Sequence, residues 1–220
     1  MKILWLAVLF SMISSGMVYS QETPPQRRFE EKGEQLMKEA SQRLKAYRSL
    51  KIEFTYTMEN KSQDFEESMA GVLFAQGDKY YMEVGDNLFV SDGETVWSYL
   101  EEMEELHINL AEYTEGGLTP TSVLEEFDQE FRSKFIRQES HEGKEVDIID
   151  LLPNEPQAFF KYRVALDAKT KMLVYTMAYD RHGGTYTYSI DRFQPNIEIP
   201  SEKFSFSMED YQDIEVIDLR

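Results

Sequence analysis

The most constraining feature of the sequence is a succession of strand-like segments joined by very short turns. Between residues 52 and 58 every second residue is Ile, Phe, Tyr or Met, which is the period of a strand with one face in water. Gly77-Asp78, Gly85-Asp86 and Asp92-Gly93 separate the segments that follow, and these pairs favour tight turns. Because a parallel return needs about a dozen residues or more, the sequence predicts a long antiparallel meander.

A helical period occurs twice. Between Phe29 and Tyr47 apolar residues recur at three- and four-residue steps, which predicts one amphipathic helix. Thr119-Pro120 is a helix-start signal within the meander, and apolar residues from Val123 to Phe135 follow at helical spacing. We therefore expect one or two short helices inserted between two groups of strands.

These elements predict an α+β fold that is mainly β. We expect a strongly curved antiparallel sheet of roughly ten strands, an incomplete barrel, because a twisted sheet of that size tends to curl. The N-terminal helix and an inserted helical lid would cover its concave face. The last strands are expected at Lys203–Phe206 and, as a sheet edge, at Glu215–Asp218.

The N-terminus is typical of an exported protein. Lys2 precedes an apolar run of about eleven residues, and Val18-Tyr19-Ser20 offers a cleavage site. We expect residues 1–20 to be a signal peptide and residues 21–220 to form a single domain. An uncleaved anchor is the alternative, although a spanning helix needs about 20 apolar residues. The chain has no cysteine, so its core must stabilise it without disulfides.

Charge and motif content exclude several classes of function. The formal net charge of −18 repels phosphate backbones, which argues against nucleic-acid binding. His107, His141 and His182 are scattered without ligand spacing, so no metal site is expected. Ser91-Asp92-Gly93 is not a nucleophile elbow, and no glycine-rich phosphate loop is present. The sequence predicts a binding protein without cofactor or catalytic residues, not an enzyme.

Two short segments carry a family resemblance. Residues 89–99 (FVSDGETVWSY) resemble the characteristic hairpin of the LolA family of periplasmic outer-membrane lipoprotein carriers, in which Ser-Asp-Gly makes the turn before an apolar-Trp-x-Tyr strand. Residues 200–206 (PSEKFSF) are similar to the closing strand of that family. The resemblance extends over nearly all of residues 21–220 in element order, and these two segments are its specific part.

The resemblance implies a periplasmic carrier that shields the acyl chains of lipoproteins in an apolar cavity. Such a carrier, acting as a monomer, would receive acylated lipoproteins from an inner-membrane lipoprotein-releasing transporter and shuttle them to the outer membrane, where a separate acceptor exists in some systems. The alternative is an envelope lipid-binding or stress-sensor protein with the same half-barrel fold that acts through a partner protein. Its docking patch would be the acidic tip Glu101–Glu105.

The residues expected to line the cavity come from faces that the family fold turns inward. From the sheet they are Phe54, Tyr80, Met82, Trp97, Tyr162, Tyr175 and Tyr186, and from the helices they are Leu36, Ala40, Leu44, Val123, Leu124 and Phe127. A slip of one residue in any strand would turn its side chains outward.

The sequence departs from the family pattern at one position. Well-studied members carry Arg-Pro just before the third strand, and that arginine helps to hold the lid closed. Gln76-Gly77 stands at the matching position here, and Lys79 nearby is a poorer fork-shaped donor than arginine. We therefore expect the lid to be latched in a different way.

Overall fold

The computed structural model describes residues 25–111, 119–125, 127–208, 211 and 214–220. The predicted signal peptide lies outside the described residues. Among the residues that are described, no helix is long and apolar enough to cross a bilayer.

The first element of the described residues is a long amphipathic helix, α1, which spans Pro25–Lys45. Proline is favoured in the first turn of a helix because the N–H that it lacks would have no intrahelical partner there. One face of α1 is buried and carries Leu36, Met37, Ala40 and Leu44, as the helical period predicts.

In the described part of the chain, twelve strands form one sheet in the order β12-β6-β5-β4-β3-β2-β1-β11-β10-β9-β8-β7. The strands are β1 Leu50–Asn60, β2 Phe65–Gln76, β3 Lys79–Val84, β4 Asn87–Ser91, β5 Thr95–Leu100, β6 Glu105–Leu110, β7 Phe131–His141, β8 Lys144–Pro153, β9 Phe159–Asp167, β10 Leu173–Asp180, β11 Gly184–Pro195 and β12 Glu215–Asp218.

The sheet is an open, curved layer whose end strands β7 and β12 do not pair with each other. Strands that follow one another in the sequence pair antiparallel within each of two groups, β1 to β6 and β7 to β11, as the short turns predict. The two groups meet where β1 pairs antiparallel with β11. The expected edge at Glu215–Asp218 is present as β12, which pairs parallel with β6.

Two details of the predicted architecture are wrong. The sheet has twelve strands and not roughly ten, mainly because Phe131 and Phe135 begin a strand, β7, and not a helix. Their four-residue spacing suits both structures, since positions four apart share a face of a helix and also of a strand. Residues Ser201–Phe204 form a 3₁₀ helix where a strand was expected.

The described residues of the insert between the two groups form two single-turn helices, α2 (Ser122–Glu125) and α3 (Phe127–Glu130). Val123, Leu124 and Phe127 are buried in the same apolar cluster as the buried face of α1. The short inserted helices are therefore confirmed, and their action as a lid is part of the proposal made below.

Strand register defines two faces of the sheet. Ile52, Leu73 and Met82 are aligned across β1, β2 and β3 and belong to the apolar cluster that packs on α1. We call the side on which they lie the inner face and the opposite side the outer face. A smaller cluster on the outer face contains Val146, Ile148, Ala165 and Tyr175.

The turn between β9 and β10 predicts an acid-dependent contribution to stability. Asp167 Oδ1 accepts hydrogen bonds from the backbone N–H groups of Thr170 and Lys169 at 2.7 and 3.0 Å, respectively. These bonds, with the backbone N–H of Thr170 contributing most, lower the pKa of Asp167. A depressed carboxyl pKa stabilises the fold above the unfolded value, about 4, and the effect is lost as the pH falls through the folded value.

We expect Asp167→Asn to lower the free energy of unfolding at pH 7 and to flatten its decline below about pH 4. Urea denaturation measured between pH 7 and pH 2.5 would check this. Glu155→Gln, at an exposed position, is the control and should leave the acid limb of the curve unchanged. If the free energy of unfolding fell as steeply below about pH 4 in Asp167→Asn as in the unmodified protein, Asp167 would not be the source of this acid-dependent stability.

Candidate functional site

Helix α1 lies in very close contact with β7, and a glycine permits the approach. A Cβ atom added at Gly33 would lie 2.7 Å from the backbone nitrogen of Phe135 and 2.9 Å from the backbone of Lys134. The ring of Phe135 stacks on that of Phe29 with a centroid separation of 6.4 Å. Backbone atoms cannot move aside as side chains do, so Gly33 sets the distance between α1 and the edge of the sheet.

We expect Gly33→Ala to destabilise the protein by about 1–3 kcal/mol, because the added methyl group must push α1 away from β7. The sign is informative, since the same change in an exposed helix stabilises by about 1 kcal/mol through helix propensity. Chemical denaturation would measure the effect. An increase in stability would show that α1 is not seated on β7 as described.

The inner face beneath α1 and α2 is rich in aromatic side chains. Tyr188 contacts Phe54 and Tyr56 with ring centroids 5.3 and 4.8 Å apart. Phe159 contacts Tyr162 and Tyr186 at 5.8 and 5.2 Å. These rings come from β1, β11 and β9, and Ala178 and Thr176 of β10 lie between the last two strands on the same face.

A cavity of about 50 Å³ remains between this aromatic surface and the start of α2. Its lining comprises Tyr56, Thr119, Ser122, Val123, Phe159, Tyr162, Thr176, Ala178, Tyr186 and Tyr188. Burial raises the pKa of Tyr56 to about 12 and raises that of Tyr188 further. These phenols are therefore neutral at physiological pH and can serve as hydrogen-bond donors.

The structure places eleven of the thirteen sequence-selected residues on the inner face or on the helices that pack against it. Nine belong to the buried apolar cluster, namely Leu36, Ala40, Leu44, Phe54, Met82, Val123, Leu124, Phe127 and Tyr162. Tyr80 packs against that cluster, and Tyr186 lines the cavity.

The other two residues lie on the outer face, so their assignment to the inner lining is wrong. In β5 the inner residue is Val96, because it pairs with Ser91 of β4, which in turn pairs with the inner residue Tyr80 of β3. Trp97 is the next residue and therefore lies on the outer face, where its ring stacks on that of Phe206 with centroids 6.4 Å apart. In β10 Thr176 and Ala178 are the inner residues. Tyr175 consequently belongs to the outer cluster.

Sequence reasoning missed Tyr56, Tyr188 and Thr176. The signal was available, because Tyr56 lies two residues after Phe54 and Tyr188 two residues after Tyr186, and residues two apart share one face of a strand. Extending each alternation by one step finds both tyrosines. Thr176 becomes visible only when the register of β10 is known.

A groove of about 540 Å³ lies between α1 and the segment from Phe127 to Ser133. Its walls mix both signs of charge, with Lys38, Lys45 and Arg132 beside Glu30, Glu34 and Asp128. Phe127 and Phe131 also line it and belong to, or pack on, the inner apolar cluster. The groove therefore runs from solvent to the edge of the buried apolar surface.

The arrangement of a helix on a curved, aromatic half-barrel agrees with the comparison of sequences. Residues 45–207 match the family described as outer membrane lipoprotein carrier protein LolA. The chain belongs to the LolA family. A lipoprotein-carrier role is thereby supported at the level of the family, whose members are carrier proteins and not enzymes.

Two proteins similar to this LolA-family chain have low sequence identity to it. An outer-membrane lipoprotein carrier protein of Legionella pneumophila (strain Lens) is 21% identical over 168 residues, which cover 75% of this chain and 82% of that protein. An uncharacterized conserved protein from Thermus thermophilus has a similar crystal structure, with a TM-score of 0.54 and 10% identity over 84% of this chain and 98% of that one. The structural likeness shows the fold alone.

In this LolA-family chain the insert is tethered to the end of α1. Lys45 Nζ donates to the carbonyl oxygen of Glu125 at 3.3 Å, and Thr121 Oγ1 donates to Glu125 Oε1 at 3.0 Å. Gly77, at the position of the family proline, has φ +59° and open space around it. These two hydrogen bonds to Glu125 therefore come from α1 and from the insert, while Val123 and Leu124 of α2 pack in the apolar cluster that the sheet shares with α1.

Proposed function

We propose that the protein binds the acyl chains of lipoproteins between its helices and the inner face of its sheet. In this proposal it shuttles them through the periplasm, from an inner-membrane releasing transporter to the outer membrane or to an acceptor there. The observation that carries the proposal is the aromatic inner face, which α1 and two single-turn helices cover. Export through a cleaved signal at residues 1–20 and action as a monomer belong to the same proposal.

Shielding of acyl chains explains why such a surface is needed. Exposure of each methylene to water costs about 0.8 kcal/mol, so a chain of about 16 carbons cannot cross an aqueous compartment uncovered. Sites for small ligands typically have volumes of about 300–1,000 Å³, whereas the inner cavity measures about 50 Å³. In this proposal the small cavity corresponds to a closed form, and binding requires the helices to move.

The helices of the insert are suited to that movement. Each has four residues, too few to be stable as an isolated helix, so tertiary contacts alone keep them in place. The groove between α1 and Phe127–Ser133 reaches the same apolar cluster. Displacement of α2 and α3 would join the groove to the cavity and create a site of sufficient length for an acyl chain.

The first test is direct binding. The full chain would be expressed with export, purified and delipidated, then offered a triacylated lipopeptide or the same peptide without acyl chains, with complexes counted by native mass spectrometry. Saturable one-to-one binding of the acylated peptide alone is expected. Equal binding of the two peptides, or binding of neither, would overturn the carrier proposal and direct attention to a protein partner.

A single substitution should block the site without disturbing the sheet. Ala178→Trp would fill the inner cavity, and we expect it to weaken lipopeptide binding at least about tenfold, roughly 1.4 kcal/mol. Tyr179→Trp is the matched control, because Tyr179 is the next residue and lies on the outer face over Lys161. Unchanged binding by Ala178→Trp would place the acyl chains elsewhere.

A further inference from the structure

The groove between α1 and the start of β7 contains a free edge of the sheet. β7 is an end strand, and its first residues, Phe131, Arg132 and Ser133, line the groove. Gly33 brings α1 against the backbone of β7 at Phe135, where the groove ends. An extended chain in the groove would therefore lie beside a strand that has a neighbour on one side only.

The register of β7 and β8 shows which backbone groups face the groove. The backbone N–H of Asn154 donates to the carbonyl oxygen of Glu130 at 2.8 Å, and hydrogen-bonded and non-hydrogen-bonded pairs alternate along an antiparallel ladder. The next pair, Phe131–Pro153, is therefore not hydrogen-bonded, which suits a proline because it has no N–H to donate. The N–H and C=O groups of Phe131, and by the same alternation those of Ser133, point to the free edge.

These edge groups are sheltered from solvent without being paired. Ser133 is only 9% exposed. Among the described residues, no hydrogen bond from outside the β7–β8 ladder reaches the backbone of Phe131 or Ser133. Buried backbone N–H and C=O groups are nearly always paired, because an unpaired group costs free energy. A chain added to the edge of β7 would supply the partners.

Phe131 connects this groove to the inner cavity. Its ring contacts that of Tyr162 with centroids 5.2 Å apart, and Tyr162 lines the cavity. Phe127 also lines the groove and is buried in the inner apolar cluster. A ligand that holds its acyl chains against the inner face can therefore continue into the groove without crossing the sheet.

The charges of the groove favour neither sign. Its basic and acidic side chains are equal in number, namely Lys38, Lys45, Arg132, Glu30, Glu34 and Asp128. Within the part of the chain that the structure describes, Glu34, Lys38, Asp128 and Arg132 form no ion pair. The groove is thus a region without net charge on a chain whose net charge is −18, and its walls suit polypeptides of either charge.

We propose that the groove binds the polypeptide segment that follows the acylated residue of a lipoprotein, as a strand added to the free edge of β7. The inference rests on the proposed function and names the part of the cargo that lies outside the cavity. Recognition by strand addition takes its affinity from main-chain hydrogen bonds. Such binding depends little on sequence, which suits a carrier of lipoproteins whose polypeptides differ.

Lipopeptides with identical acyl chains and different tails test this proposal. The delipidated full chain would be titrated with triacylated cysteine alone and with the same group followed by a short serine-rich tail, and complexes would be quantified by native mass spectrometry. We expect the tail to tighten binding about tenfold. Equal affinities would overturn the peptide site and leave the carrier function standing, whereas no binding of either ligand would overturn both.

A proline scan of the tail tests strand addition itself. Proline is tolerated in an edge strand only where the missing N–H would face solvent. Tails that carry one proline at successive positions should therefore alternate between the affinity of the proline-free tail and an affinity about two- to tenfold weaker. Losses of equal size at successive positions, or no loss at any position, would contradict pairing with β7.

A substitution on α1 locates the tail. Gln42 is exposed and lines the groove, so Gln42→Trp should abolish the gain from the tail with little change in the affinity for triacylated cysteine alone. Gln35→Trp is the matched control, because Gln35 is exposed on α1 outside the groove lining, and it should keep the gain. Circular dichroism and denaturation would establish that both variants are folded.

Two results with these variants would overturn the proposal. If Gln42→Trp kept the full gain from the tail, the polypeptide would lie elsewhere on the protein. Dipalmitoyl phosphatidylethanolamine is the second probe. If Gln42→Trp weakened binding of this phospholipid and not of the tailed lipopeptide, the groove would hold a lipid head group and not a peptide.

Discussion

Replacing Lys171 with methionine is expected to lower the free energy of unfolding by about 3–5 kcal/mol. Lys171 Nζ lies 2.8 Å from Asp147 Oδ2 and 2.6 Å from the carbonyl oxygen of Ala168. Asp147 is only 3% exposed, and apart from Lys171 its carboxylate accepts a hydrogen bond from Gln138 Nε2 at 3.2 Å. Removal of the ammonium group leaves a buried negative charge without its counterion, and urea denaturation would measure the loss.

The matched control for that prediction lies in the same turn. Lys169→Met removes an equal charge from an exposed side chain and should change stability by less than about 0.5 kcal/mol. Adding Asp147→Asn to Lys171→Met should restore part of the stability, because the double variant no longer buries a charge. Equal effects of Lys169→Met and Lys171→Met would show that the buried pair is not coupled.

The second large effect is expected at the centre of the inner face, where an aromatic ring covers a glycine. Phe54 is 1% exposed, and its ring occupies the place that a Cβ on Gly71 would take. Phe54→Ala should cost about 3–5 kcal/mol through lost burial and a new cavity. Gly71→Ala should cost about 1–3 kcal/mol, because the ring has no free space into which to move.

Combining the two changes tests whether they report one contact. The double variant should be less destabilised than the sum of the single variants, since removal of the ring relieves the larger clash of the new methyl group and leaves the Glu83 carbonyl oxygen, 2.9 Å from the Cβ position. Phe74 serves as the control, because it lies in β2 like Gly71 but on the outer face. The effects of Phe74→Ala and Gly71→Ala on the free energy of unfolding should add within about 0.5 kcal/mol. Additivity in the Phe54 pair would contradict the described packing.

Local patterns predicted the hairpins well because their causes are local. Lys79–Val84, Asn87–Ser91 and Glu105–Leu110 are strands, in agreement with the antiparallel meander that the short turns predict. In each case two-residue alternation and a turn such as Gly85-Asp86, with φ +57° at the glycine, fix the structure within about ten residues. The buried face of α1 was predictable for the same reason.

The candidate site was harder to predict because it depends on which face of each strand is covered. Trp97 and Tyr175 are large and aromatic, but the outer face has apolar clusters of its own, so size and type do not identify the inner side. Trp97 is covered from outside by Phe206, far away in the sequence. Alternation gives two equivalent faces, and only the long-range register distinguishes them.

The segment around β7 shows a second limit of sequence reasoning. Phe127, Phe131 and Phe135 have a spacing of four, which a helix and a strand both place on one face. Phe127 lies in α3, whereas Phe131 and Phe135 lie in β7. Residues 131–141 form a strand because they pair with β8, where Phe135 is aligned with Ile149. The sequence of the segment alone does not determine this.

The pairing of β1 with β11 constrains the order in which the two halves of the sheet can fold together. Leu50 pairs with Pro195 and Asn60 with Gly184, so strands at opposite ends of the chain meet at the middle of the sheet. Until β11 has been synthesised, β1 has an open edge, which is a template for association with other chains. Closing such a long loop is entropically costly and slow. Docking of the two half-sheets is therefore the expected rate-limiting event of folding, and the edge of β1 is exposed to association with other chains until that event is complete.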